Sequence, residues 1–339
     1  MCIVGMETID IFNRQRFGSE ECFLCGYALD DSPSKEHIFP KWLQERCQLR
    51  DQRLTFDNGT SVPYRQLTIP CCSDCNNGPL SALENRIKLR FKSGAEELRT
   101  GSRVDLFLWL SKILYGLQFK ELSLSKDRSN PEAGMMNVSE QVERLENLHG
   151  FLQGIREPVR FEAGRPWSIF VFDCHSESEN DFDFVDDPLY LGLTIRIGSI
   201  AVVASLFDNG IVEEYFDAFF RKFDGTKIHP IQLSEISALF AYHSRLLSRS
   251  PKFITISGGD TPETLVVSPP LRGYSTEYPF GNRDPEMKAN LLYYYWRRYG
   301  LAMQDIWLPP DSILTFLQND DDTPKYLAAD GSEIPNTSV

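Results

Sequence analysis

Glu36 and His37 stand side by side in the stretch SKEHIFPKWL, with Pro40 three residues further on and Trp42 behind it. They pair a carboxylate, which can anchor a cation, with an imidazole, a proton acceptor whose ordinary pKa lies near neutrality. Two Cys-x-x-Cys pairs, Cys22/Cys25 and Cys72/Cys75, bracket them. A two-residue spacer lets each knuckle turn both sulfurs toward one ion, so the four thiolates suit one tetrahedral zinc. Cys71/Cys75 is an alternative second pair. Five of the eight cysteines fall in these two clusters, the distribution of a metal centre rather than of a secreted disulfide framework. A structural zinc here would fasten a strand-rich start to the beginning of a helix.

The order CxxC, EHIFP, CxxCNN resembles the HNH family of nucleases over about residues 20–95. The resemblance implies a ββα-metal module with His37 as general base and Glu36 at a metal-ligand position. Asn76 falls on the last letter of the family name, a further metal ligand. It implies hydrolysis of phosphodiester bonds, in which a base takes a proton from water and a divalent ion neutralises phosphate charge. Carboxylate and amide oxygens suit hard Mg²⁺ or Mn²⁺, so the catalytic ion is expected to be distinct from the structural zinc. The family's middle Asn, which orients the catalytic His, has no clean counterpart in YRQLTIPCC; Gln66 or Asn58 is left for that role. Adjacent strand residues point to opposite faces. Glu36 and His37 therefore share one site only at a strand end or a distorted turn, which Pro40 favours.

The elements that must position these side chains follow from the pattern. A knuckle, a short extended segment through Glu36–Phe39, a polar connection (TFDNGTSVP) and a second extended run (YRQLTIP) lead into a helix. On that helix Leu80, Leu83, Ile87 and Phe91 recur at helical spacing. Glu84 either closes a capping box with Ser81 or, two turns beyond Asn76, aims at the same face as a further metal ligand. Arg86, Lys88, Arg90 and Lys92 form two adjacent stripes able to straddle nucleic-acid phosphates.

The fold class expected is α+β: an N-terminal extension (1–18), an HNH module with zinc knuckles (19–99), a mixed α/β C-terminal domain (100–310) and a tail disordered at its end (311–339). In the C-terminal domain the patterns predict helices at VDLFLWLSKILYGLQFKEL, VSEQVERLENLHGFLQGIREP, VEEYFDAFFRKF, SEISALFAYHSRLLSRS and MKANLLYYYWRRYGLAMQDIW. They predict strands at PWSIFVFDC and KFITIS, and KDRSNPEAG reads as a loop. Leu189–Phe207 is apolar enough to raise a membrane span, but Arg196, Gly198-Ser199 and the β-branched run favour two buried strands joined by a tight turn. The stretch Glu177–Asp187 reads as a solvated acidic loop. The aromatic cluster Tyr293–Tyr299 reads as a buried helix face, with base stacking the rarer use.

The chain of 339 residues carries 35 Lys and Arg against 48 Asp and Glu, a net charge of -13, which excludes coating of nucleic acid by bulk electrostatics. Residues 1–100 hold 13 basic and 14 acidic side chains and residues 101–339 hold 22 and 34, so nucleic-acid contact belongs locally to the N-terminal module. MCIVGMETIDIF lacks the basic and apolar regions of a signal peptide, so a cytoplasmic address is expected, with no membrane partner. The expected partner is nucleic acid, DNA above RNA, with a protein partner or a second copy of the chain left to the C-terminal domain. The resemblance suggests a metal-dependent endonuclease with a regulatory or specificity domain, in a setting such as phage defence. The rival is a non-catalytic module whose zinc knuckles hold a nucleic-acid or protein-binding surface.

Overall fold

The computed structural model describes residues 20–29, 34–56, 58–124, 129, 139–162, 164–249, 251–256, 263–267, 279–308 and 312–335. The extension expected over 1–18 and, apart from Ser129, the loop of 126–134 lie outside the described residues. Helices and several small sheets make the fold α+β, divided into two compact units.

In the first unit β1 (Ser34–His37) stops where Pro40 begins α1 (Lys41–Arg46), a short helix the sequence pattern did not anticipate. Proline sets its own φ (-53°) and lacks an N–H, so it ends an extended run and opens a helix at no hydrogen-bond cost. The polar connection forms a hairpin of β2 (Arg53–Thr55) and β3 (Ser61–Pro63), followed by β4 (Thr68–Cys71). β4 pairs antiparallel with β1 in an unbroken register, Ser34 opposite Cys71 and His37 opposite Thr68. The chain then runs through α2 (Ser73–Cys75) and a π-type turn, Asn76–Leu80, that accommodates Pro79, into α3 (Ser81–Ser93). Leu80, Leu83, Ile87 and Phe91 are buried, the face their spacing predicts. Two antiparallel strands followed by a helix thus form, as expected.

The boundary expected near residue 99 falls elsewhere. α4 (Ala95–Thr100) belongs to the second unit, whereas α5 (Arg103–Leu122) and α6 (Ser139–Leu152) belong to the first. α5 explains why: from Leu106 to Phe119 every residue is buried, so the helix must be wrapped on all sides and serves as the core of the unit. Trp109 packs against Phe91 (5.6 Å between centroids) and Trp42 (6.3 Å), and Phe107 against Phe151 of α6 (5.7 Å). β5 (Val159–Glu162) also lies in this unit.

The second unit is built on a five-stranded sheet. β6 (Ser168–Cys174) and the hairpin of β8 (Gly192–Ile197) and β9 (Ile200–Ser205) are the strands the apolar runs predict, with Gly198 at φ +58° making the turn. The solvated acidic loop expected over Glu177–Asp187 holds for the exposed 177–180, but β7 (Phe182–Asp187) corrects the rest: it pairs with β8, and its acids meet arginines of the same unit. Asp183 takes two hydrogen bonds from Arg298 (2.8 and 2.6 Å), Asp187 pairs with Arg245, and the preceding Asp181 with Arg196 at 3.2 Å. α7 (Ile211–Phe220) and α8 (Pro230–Arg245) cover the sheet through Phe172, Val203, Phe216, Phe220, Ile236 and Phe240, and β10 (Lys227–Ile228) adds to β6 in parallel.

β11 (Ile254–Ile256) and β12 (Thr264–Val267) return to the first unit and pair with β5. α9 (Pro285–Trp296) packs on α8 and ends before Gly300 (φ +81°), short of the single long helix predicted. It splits the aromatic cluster: Trp296 is buried, whereas Tyr293, Tyr294 and Tyr299 are exposed. The segment 312–335, expected to be a tail, is instead part of the second unit, with Leu317 in the sheet-side core and Leu327 buried. Among the described residues no helix is long and apolar enough to cross a membrane.

Candidate metal centre and the Glu36–His37 site

The two knuckles converge. The sulfurs of Cys22, Cys25, Cys72 and Cys75 lie within 4.8 Å of one another, the one group of His, Cys, Asp and Glu among the described residues dense enough to hold a metal ion. A tetrahedral zinc with bonds of about 2.3 Å places its sulfurs about 3.8 Å apart; Cys25 and Cys72 are 3.7 Å apart. Four soft thiolates at that spacing fit a structural zinc. The arrangement also decides between the alternatives for the second knuckle. Cys71 ends β4 and lies 3.9 Å from Cys22, outside the group, whereas Cys72 turns out of the strand, caps α2 and accepts the Cys75 N–H on its sulfur (3.4 Å).

Long-range contacts hold the first knuckle. Phe23 N–H donates to Pro70 O of β4 (2.9 Å), and Gly26, at φ +71°, closes the turn by donating to Cys22 O (2.9 Å). From α6, His149 Nε2 lies 3.1 Å from Phe23 O and 3.2 Å from Leu24 O, and Gln153, just past its end, donates to Leu24 O at 3.0 Å. Burial pushes the His149 imidazole down to about 4, so it is neutral and donates one N–H to these carbonyls. A lone histidine 124 residues after Cys25 gives no such signal in the sequence.

Glu36 and His37 do not share a pocket in the expected manner. Because the β1–β4 register is regular to His37, alternation sends Glu36 inward, 4% exposed, and leaves His37 half-buried on the other face. Glu36 meets Lys112 of α5, whose Nζ also donates to Glu84 (2.7 Å) and to His37 O (2.8 Å). Lys112 is entirely buried, yet the two carboxylates raise its pKa above the ordinary lysine value and keep it charged. Burial pushes the Glu36 carboxyl up to about 7 while the ammonium opposes the rise. Sequence reasoning missed Lys112 because it sits in an apolar helix 76 residues from Glu36.

Glu84 does point toward Glu36, but through Lys112 rather than as a metal ligand. Asn76 donates its amide to Ser34 Oγ and to Lys35 O (3.3 Å) near the start of β1, whereas His37 ends the strand roughly 10 Å further along at ~3.3 Å per residue. Gln66 is exposed in the turn Tyr64–Gln66 with no hydrogen bond to His37, and Asn58 accepts the Thr60 N–H (2.9 Å) inside the β2–β3 hairpin. Neither therefore orients the imidazole. Of the basic run, Arg86 makes a two-pronged bond to Asp105 (2.9 and 2.8 Å), and Arg90 is buried, donating to Ser102 O (2.7 Å). Lys88 and Lys92 are the two that face solvent uncommitted. As built, the carboxylates expected to hold Mg²⁺ or Mn²⁺ hold an ammonium instead, so the residues present do not fit a divalent ion there.

The imidazole itself is held below its ordinary value, first by partial burial and then by the positive charges of Lys41, Lys112 and Arg50. Lys41 and Arg50 are exposed. Comparison of the chain with family models, with curated proteins and with solved structures found no match.

Proposed function

We propose that the first unit is a nuclease module that hydrolyses phosphodiester bonds, with DNA as its target. One observation supports this reading above others: His37, half-buried and kept neutral, ends β1 of a thiolate-stapled strand–strand–helix unit within the field of Lys41 and Arg50. A neutral imidazole can take the proton from a water molecule as that water attacks phosphorus and the bond to the 3′-oxygen breaks. The two exposed cations that depress its pKa would attract the phosphate that is to be attacked. Lys88 and Lys92 supply further phosphate contacts on α3. The second unit is left the selection or regulation of that activity.

Supercoiled plasmid tests the reading: wild type in Mg²⁺ or Mn²⁺, wild type in EDTA, and His37→Ala. Nicking that disappears with His37→Ala supports hydrolysis at this site, and the EDTA arm reports whether a divalent ion takes part. The second reading, a zinc-stapled module that binds nucleic acid without cutting it, is favoured by the Lys112 ammonium filling the acid pair. Binding retained by all three samples without nicking would select it.

A further inference from the structure

Glu36 and Glu84 are the carboxylates at which the sequence pattern places a divalent cation, and their cation turns out to be part of the chain. We infer that Lys112 is the permanent counter-ion of this pair. It closes the position to Mg²⁺ and Mn²⁺, so that among the described residues the four thiolates are the group left to take a metal.

A lysine ammonium has three N–H groups, and Lys112 commits them to Glu36 Oε1, Glu84 Oε1 and His37 O. No donor is left idle, and one oxygen of each carboxylate, Oε1, already accepts from the ammonium. Lys112 is 0% exposed in the middle of α5, and Trp109, Ser111, Ile113 and Tyr115 along the helix are also fully buried, so its side chain is held inside the unit, where its ammonium meets the buried Glu36 and the partly exposed Glu84. Mg²⁺ and Mn²⁺ prefer about six oxygens, yet no third carboxylate joins the pair among the described residues, and the Asn76 amide is turned to Ser34 and Lys35. With Lys112 in place a divalent ion would have to rely on water for most of its shell while meeting a unit positive charge at hydrogen-bond distance; without that charge, the two carboxylates and water can hold it.

The inference is independent of whether the chain cuts nucleic acid, because it is read by binding and melting. The zinc-loaded full chain is titrated with Mn²⁺, free ion being followed by its paramagnetic resonance signal, and melted with and without Mn²⁺. Wild type is expected to leave Mn²⁺ free and to melt at an unchanged temperature. Lys112→Met keeps the length and removes the charge, leaving the buried Glu36 and the partly exposed Glu84 without a cation. That variant is expected to take up one Mn²⁺ per chain and to gain Tm as Mn²⁺ is raised, both effects being lost in Lys112→Met/Glu84→Gln. A variant that melts cooperatively only after Mn²⁺ is added gives the same support. Mn²⁺ bound by wild type and released by Glu84→Gln overturns the inference, as does a folded Lys112→Met that takes up none. If Lys112→Met folds under neither condition, wild type and Glu84→Gln decide alone: no bound Mn²⁺ in either supports the inference, and Mn²⁺ lost with Glu84→Gln refutes it.

Discussion

His149 Nε2 lies 3.1 Å from the carbonyl oxygen of Phe23, between the two cysteines of the first knuckle. A helix that begins more than a hundred residues after the knuckle therefore holds its backbone. Groups that orient metal ligands typically change metal affinity ~10–100-fold. His149→Ala is expected to release zinc to a chromophoric chelator about tenfold faster than wild type, and His149→Gln, which keeps a donor, to restore part of the retention. An unchanged release rate in His149→Ala would remove α6 from the metal centre.

Cys75→Ala removes one of four thiolates. Because a structural zinc contributes its binding free energy to folding, metal content is expected to fall from one zinc per chain to none, with loss of cooperative melting in the first unit. Cys71→Ala, outside the group, is expected to keep its zinc. Elemental analysis of the two purified variants separates them; zinc lost from both would reverse the assignment of Cys72.

A proton acceptor works in its neutral form, so a His37 pKa held below 6.5 should keep nicking at full rate through neutrality. The rate should fall only as pH drops through that lowered value, when the ring becomes charged. Nicking rates measured from about pH 5 to pH 8 check this, and an inflection at or above 6.5 would show that the base is not an imidazole held below its ordinary value.

Two buried acids of the second unit give its stability a pH dependence. Burial pushes both Asp208 and Glu235 up to about 7, although Asp208 accepts from Gly210 N (3.1 Å) and Val212 N (3.0 Å), and Glu235 from Phe316 N (2.6 Å). An acid whose folded pKa is raised binds its proton more tightly in the native state. Stability is therefore fully present below the unfolded value near 4 and declines as pH rises toward about 7. Urea midpoints are expected to fall across that window, and Asp208→Asn or Glu235→Gln to flatten the slope.

Gly116 lets α5 approach the residue after His37. A Cβ there would lie 3.0 Å from Ile38 Cγ1 and 3.2 Å from Cγ2, and Ile38 is fully buried with little room to yield. Alanine gains up to ~1 kcal/mol of helix propensity, while overpacking a tight core costs ~1–3 kcal/mol. Gly116→Ala is expected to lose about 1 kcal/mol in urea unfolding and to slow nicking by displacing the end of β1; a stabilised variant would show that the helix shifts freely.

Local pattern made much of the framework legible. The buried face that runs from Leu80 into α3 (Leu83, Ile87, Phe91) and the β8–β9 hairpin follow from periodicities that burial enforces within a few residues of chain. The cysteine spacing likewise foretold a four-thiol group. The element count went astray where short signals compete: Pro40 both ended β1 and began α1, and the acids of β7 looked solvated because Arg245 and Arg298 lie more than fifty residues away.

By itself the sequence determined which side chains are present to do chemistry and which stretches extend or coil, since both depend on residues close together in the chain. Tertiary structure alone decided what those side chains touch. It brought an ammonium from α5 to Glu36 and Glu84, a histidine from α6 to the first knuckle, and Asp105 to Arg86. Charges and hydrogen bonds act through space over a few ångströms, and a buried lysine surrounded by leucines carries no mark in the sequence of the carboxylates that the fold will set beside it.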